Sequence, residues 1–98
     1  MKIEALDEAE DDLWEGRDFY ERREPGVGEY FATCLAADLD SLRFFAGTHS
    51  SAFGFHRALS KRFPFGIYYR VENGMVRVYA LLDLRRDPAW VRRRLGGR

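Results

Sequence analysis

The chain has 98 residues, which suits one domain, and its 46% apolar and 15% aromatic content is enough for a modest core. Formal charge cancels to zero but unevenly: residues 1–53 carry 13 Asp/Glu against 5 Lys/Arg, a net of −8, and residues 54–98 carry 3 against 11, a net of +8. No apolar run approaches the roughly 18 residues of a membrane span, no signal-peptide pattern opens the chain, and the single cysteine, Cys34, excludes an internal disulfide, so a reducing cytoplasm is the expected setting.

Residues 2–5 read as a brief edge strand, Lys2 to Ala5. The stretch "DEAEDDLWEGRDFYERR" starts with Asp7 and has Glu10 three residues on, a capping-box pattern. Its acidic first turn suits the helix dipole. Leu6, Ala9, Leu13, Gly16 and Tyr20 recur at spacings of three and four, one face of an amphipathic helix. Gly16 on that stripe admits a closely packed neighbour. Pro25 and Gly26 break the pattern. A second helix is predicted from Val27 to Ala46 on the stripe Val27, Phe31, Leu35, Leu39, Leu42 and Ala46, with Gly47 as its stop. A short break between two such helices predicts an αα-hairpin.

"GTHSSAFG" is a loop by composition, and "FHRALSKRF" is read as a strand, broken at Pro64. Asn73-Gly74 then sits between two alternating runs, the signature of a type I′ hairpin. A two-residue loop pairs Glu72 with Met75, Val71 with Val76, Arg70 with Arg77, Tyr69 with Val78, Tyr68 with Tyr79 and Ile67 with Ala80. Phe65, Ile67, Tyr69 and Val71, with Val76, Val78, Ala80 and Leu82, then form one apolar face. Tyr68, Tyr79, Arg70 and Arg77 occupy the other. Asp87 and Pro88 start a short last helix to Leu95, with Val91 and Leu95 inward, and the "GGR" tail is expected to fray. The order is β-α-α-β-β-β-α: an α+β domain spanning 1–98, a helical hairpin packed on one face of a small antiparallel sheet.

Two arginines directly opposite on a strand pair cost roughly 0.2–1 kcal/mol. Acidic residues of the first helix or the terminal segment could bridge them, solvent could screen them, or both could reach for one anionic partner. Arg with Tyr suits nucleic acid by phosphate pairing and base stacking, and suits protein interfaces equally. His49 and His56 lack a Cys/His cluster at ligand spacing, so neither a metal nor a cofactor is expected. Cys34, beside the stripe of the second helix, is read as a core residue, and Trp14 and Trp90 as packing residues.

The order and spacing of "KRFPFGIYYRVENGMVRVYALLDLRRDP", Lys61 to Pro88, resemble the RelE/ParE superfamily of bacterial toxins, with the "YERREPGVGEYF" segment matching the style of that family's helical part. The resemblance covers nearly the whole chain. It implies a growth-inhibiting toxin of a type II toxin–antitoxin, or plasmid-stabilisation, system, bound in a hetero-oligomer by a cognate antitoxin and having no membrane role. Two activities follow from it: RelE-like cleavage of messenger RNA on the ribosome, or ParE-like inhibition of DNA gyrase without catalysis. The implied contact face to target or antitoxin is Arg57, Lys61, Tyr68, Arg70, Arg77, Tyr79, Arg85 and Arg86, and a metal-free nuclease would draw on Lys61, Tyr68, Arg70 and Arg86. Where many relatives carry His before the "RR" pair, this chain has Asp83, ionised at neutral pH and a poor proton donor. No His, Tyr or Lys follows the last strand. The expectation therefore leans toward a binding toxin rather than an enzyme, with a non-toxic nucleic-acid-binding module as a third alternative.

Overall fold

The computed structural model describes residues 1–96. In chain order the elements are β1 (Lys2–Ala5), α1 (Asp7–Arg23), α2 (Val27–Phe45), β2 (Ser51–Ala52), β3 (Phe55–Leu59), β4 (Phe65–Glu72), β5 (Met75–Asp83) and α3 (Pro88–Leu95). The sheet order is β1-β5-β4-β3-β2. Neighbours are antiparallel except β1, which lies parallel to β5, so the α+β sheet is mixed rather than wholly antiparallel. The expected loop before β3 contains a small strand, because Ser51 and Ala52 pair with His56 and Phe55. Of the expected fraying tail, Gly97 and Arg98 lie outside the described residues.

The two long helices form the predicted hairpin, with one difference at the first start. Leu6, not Asp7, is the N-cap of α1, and no side chain caps it, so the capping box does not form. Asp7, Glu8 and Glu10 still place negative charge in the first turn. Ala9 and Gly16 are buried, and Leu13 and Tyr20 pack beside them. A Cβ on Gly16 would lie 2.6 Å from Cζ of Phe31, so only glycine permits this approach of α1 to α2. The Phe31 ring is itself boxed by Tyr20, Phe63 and Phe65, with centroids 5.1, 5.0 and 4.9 Å away. Between the helices, the Glu21 carboxylate accepts from the Gly26 and Gly28 N–H groups at 3.0 and 2.9 Å, which holds its pKa below the usual range.

The hairpin follows the predicted register only part of the way. Asn73 and Gly74 take φ of 54° and 71°, as a type I′ turn requires. Glu72–Met75 through Tyr69–Val78 pair as expected. A β-bulge then intervenes: Tyr68 faces Ala80 and Ile67 faces Leu81, leaving Tyr79 without an opposite residue. The extra residue turns the rest of β5 over. Leu81 joins Phe65, Ile67, Tyr69, Val76 and Val78 under the helical hairpin, while Ala80 and Leu82, expected there, lie on the other side with Tyr68 and Phe55. Val91 and Leu95 of α3 cover that second cluster. The sheet is therefore apolar on both faces at this end, with α1 and α2 on one and α3 on the other. Asp87 caps α3 as predicted, accepting from the Ala89 N–H at 3.0 Å.

Candidate functional site

Arg70 and Arg77 do stand opposite each other, and the fold separates their environments. Arg77 lies next to Glu4 in the β1–β5 register and donates to it at 2.8 Å, and to Glu72 at 3.0 Å. Those carboxylates, Glu4 foremost, raise its pKa further and largely occupy its donors. Tyr79 donates to the same Glu72 carboxylate at 3.0 Å. Arg70 has no carboxylate within 4 Å among the described residues. Its guanidinium lies 4.0 Å over the Phe55 ring and 5.3 Å from that of Tyr79, and its Nε donates to the Gly54 carbonyl at 3.3 Å. The opposition is relieved by two glutamates from the strands, not from the first helix, and one arginine is left with free donors.

The remaining sequence candidates are dispersed. Tyr68, expected on an open face, is only 2% exposed beneath α3. Arg57 is its half-buried neighbour across the β3–β4 ladder. Lys61 is exposed on the helical-hairpin side, where its N–H donates to Asp38 at 3.3 Å and it lines a cleft of about 230 Å³ with Ser41 and His49. Arg85 folds back on Asp83 with bonds of 2.7 and 3.0 Å. The Asp83 carboxyl is held below the usual carboxylate range, chiefly by that arginine, so it is still less a proton donor than its residue type implies. Arg86 lies 4.2 Å over the Trp90 ring, on the rim of a groove of about 550 Å³ between α1, the end of β5 and α3. Lys61 and Tyr68 thus sit on opposite faces of the sheet, and the four-residue nuclease set is not gathered at one point. Cys34 is half-buried rather than the core residue expected, and Trp14, expected to pack, is 55% exposed.

Other features gave little sign in the sequence. Asp12, one acid among many on α1, reaches across to α3: both its oxygens receive Arg94 Nη2, at 2.8 and 2.7 Å, and one accepts the Leu81 N–H at 3.0 Å. Burial raises its pKa to about 6 against the opposing pull of Leu81 and Arg94. Buried Asp38 accepts from Ser60 Oγ at 2.6 Å, tying α2 to the end of β3. The wholly buried Tyr69 directs its hydroxyl to His49 Nδ1 at 2.5 Å and receives the Gly47 N–H at 2.9 Å. At the β2–β3 turn, Phe53 adopts φ of 56°, a left-handed conformation that costs a bulky residue roughly 1–2 kcal/mol. Arg92 of α3 lies 5.6 Å over its ring.

A helical hairpin on one side of this five-stranded sheet, with a short terminal helix on the other, is a ParE-like fold. A chain in the solved structure described as "Chromosomal ParDE TA system from P. aeruginosa" aligns with a TM-score of 0.77 over 86% of this chain and 96% of that one, at 18% identity. At that identity the likeness is one of fold. No family profile matches the sequence, and no curated protein does. Among the described residues, no helix is long and apolar enough to cross a membrane.

Proposed function

We propose that this chain is the toxin of a type II toxin–antitoxin pair, held inactive in the cytoplasm by a cognate antitoxin and acting by binding its target rather than by catalysis. The observation that carries the reading is the fold, shared along nearly the whole of a chain from a toxin–antitoxin system. The binding mode is supported by the state of the candidate acid–base groups. Asp83 is tied to Arg85, Tyr68 is covered, and Lys61 is on the opposite face from Tyr68. DNA gyrase is the target this mode nominates. The contact face is the α3 side of the sheet with its basic side chains, Arg57, Arg70 and Arg86 among them.

The test is induced expression of the chain alone and together with the small protein encoded beside it. Growth arrest on induction, relieved by the neighbour, is the expected outcome. Purified chain should then inhibit gyrase supercoiling, and primer extension on messages after induction should show no new ends at codons. Rapid codon-specific cleavage would make the chain a ribosome-dependent nuclease instead, and no arrest at all would remove the toxin reading.

A further inference from the structure

We infer that the β2–β3 turn, with Arg70 from β4 and Arg92 from α3, is a carboxylate-receiving site for an acidic segment of a protein partner. Two guanidiniums reach this turn from different elements. Arg92 lies over the ring of Phe53, and Arg70 donates through Nε to the carbonyl of the next residue, Gly54. Neither has a carboxylate within 4 Å among the described residues, whereas Arg77, Arg85 and Arg94 are all taken by Glu4, Asp83 and Asp12. The Nη groups of Arg70 and the side-chain donors of Arg92 are without a hydrogen-bond acceptor among the described residues. A guanidinium held over a ring face can still present its N–H groups to a planar, two-pronged acceptor. The turn that brings the pair together is held in a left-handed conformation at Phe53, a residue that rarely adopts one, and strain of this kind concentrates at binding sites.

The chemistry favours acidic protein over nucleic acid. The rings of Phe53 and Phe55 each carry a guanidinium on one face, so the patch offers in-plane pairing to an anion rather than an open platform for bases. The rest of the molecule also argues against a long polyanion, because the basic second half is balanced by a net of −8 in the first. A short run of Asp and Glu meets the two arginines and little of that repulsion. Naming this segment as part of an antitoxin rests on the toxin–antitoxin reading; the carboxylate site does not.

The test uses the full chain, with a fluorescein-labelled oligoglutamate peptide and a labelled oligo(U) RNA of equal charge, read by anisotropy at low salt. The expected result is tighter binding of the peptide than of the RNA. Arg70→Gln combined with Arg92→Gln should weaken the peptide about tenfold or more, the order expected when two charge-assisted contacts are removed. Arg43→Gln combined with Arg62→Gln, the same change in net charge away from the turn, should leave it within about twofold. Circular dichroism and thermal midpoints check that both variants fold. Tighter binding of RNA, no peptide binding, or equal losses in the two double variants would each overturn the site. The induction experiment separates the two ideas. Arrest and rescue with a negative peptide result would remove this site alone. Arg70- and Arg92-dependent peptide binding without arrest would keep the site and remove the toxin reading.

Discussion

The Asp12–Arg94 pair fastens α3 to α1, and its two ends should fail differently when cut. Replacing Asp12 by Asn leaves a permanently charged guanidinium in a site where its Nη1 already lacks a partner among the described residues. Replacing Arg94 by Met leaves a carboxyl that can escape its burial by taking up a proton. Loss of one partner of a fully buried pair costs about 3–5 kcal/mol. The side chains here keep 22% and 10% exposure for Arg94 and Asp12, so about 2 kcal/mol is the better figure for either cut at pH 8. The pH dependence distinguishes them. In the native chain Asp12 titrates near 6, above its unfolded value of 3.8, so the stability linked to its proton is complete below pH 4 and is lost as pH rises through 6. Removing Arg94 withdraws a cation that lowers this pKa and moves it higher still. Below about pH 5.5 Asp12 is then neutral in both proteins, and Arg94→Met should cost under about 1 kcal/mol, rising toward about 2 at pH 8. Asp12→Asn cannot take up that proton, so its cost should be about 1 kcal/mol larger at pH 5 than at pH 8, the opposite trend. Urea unfolding followed by circular dichroism at pH 5 and pH 8 measures all four differences. An Arg94→Met cost that is flat across that range, or Asp12→Asn indistinguishable from the native chain, would refute the reasoning.

Three other outcomes are expected. Gly16→Ala should lower stability by about 1–2 kcal/mol in thermal unfolding, because the overpacking penalty against the boxed Phe31 ring outweighs the helix-propensity gain. Gly74→Ala meets no atom within 4 Å among the described residues, so its cost should be only the left-handed backbone penalty of about 1 kcal/mol, with the amide shifts of the β4–β5 ladder retained in NMR spectra. The His49 pKa lies below 6.5, through its burial first and the charge of His56 second, so its linked stability is present above pH 6.5 and is lost on acidification below it. His56→Gln should bring that pKa back toward 6.5 in an NMR titration; an unchanged value would show that His56 exerts no influence.

Much of the fold was legible because its signals were local. The three- and four-residue spacing of Phe31, Leu35 and Leu42 marked the buried face of α2, Asn73-Gly74 marked the turn, and Asp87-Pro88 marked the start of α3. The bulge was not legible for a physical reason. Alternation reports a strand's register only where one face is polar. From Tyr79 to Leu82 every side chain is apolar or aromatic, since both sides of that segment are covered, so a slip leaves no mark in the pattern. The arginine pair was readable as a position but not as a role. Its division into a clamped Arg77 and an unclamped Arg70 depends on Glu4, 73 residues from Arg77 in the chain. The meeting of Phe53 with Arg92 joins two elements in the same long-range way.

The unpaired tyrosine in β5 is the reason this protein has a seat for its last helix. Suppose instead that Tyr79 were drawn into register opposite Tyr68 and the ladder ran on without interruption. Ala80 and Leu82 would rotate inward beneath the hairpin, Leu81 would swing outward in their place, and Val91 and Leu95 would lose the surface they rest on. With them would go the anchorage that brings Arg92 to the Phe53 turn. A phase error of one residue, built into a single strand, thus gives a small sheet two usable sides.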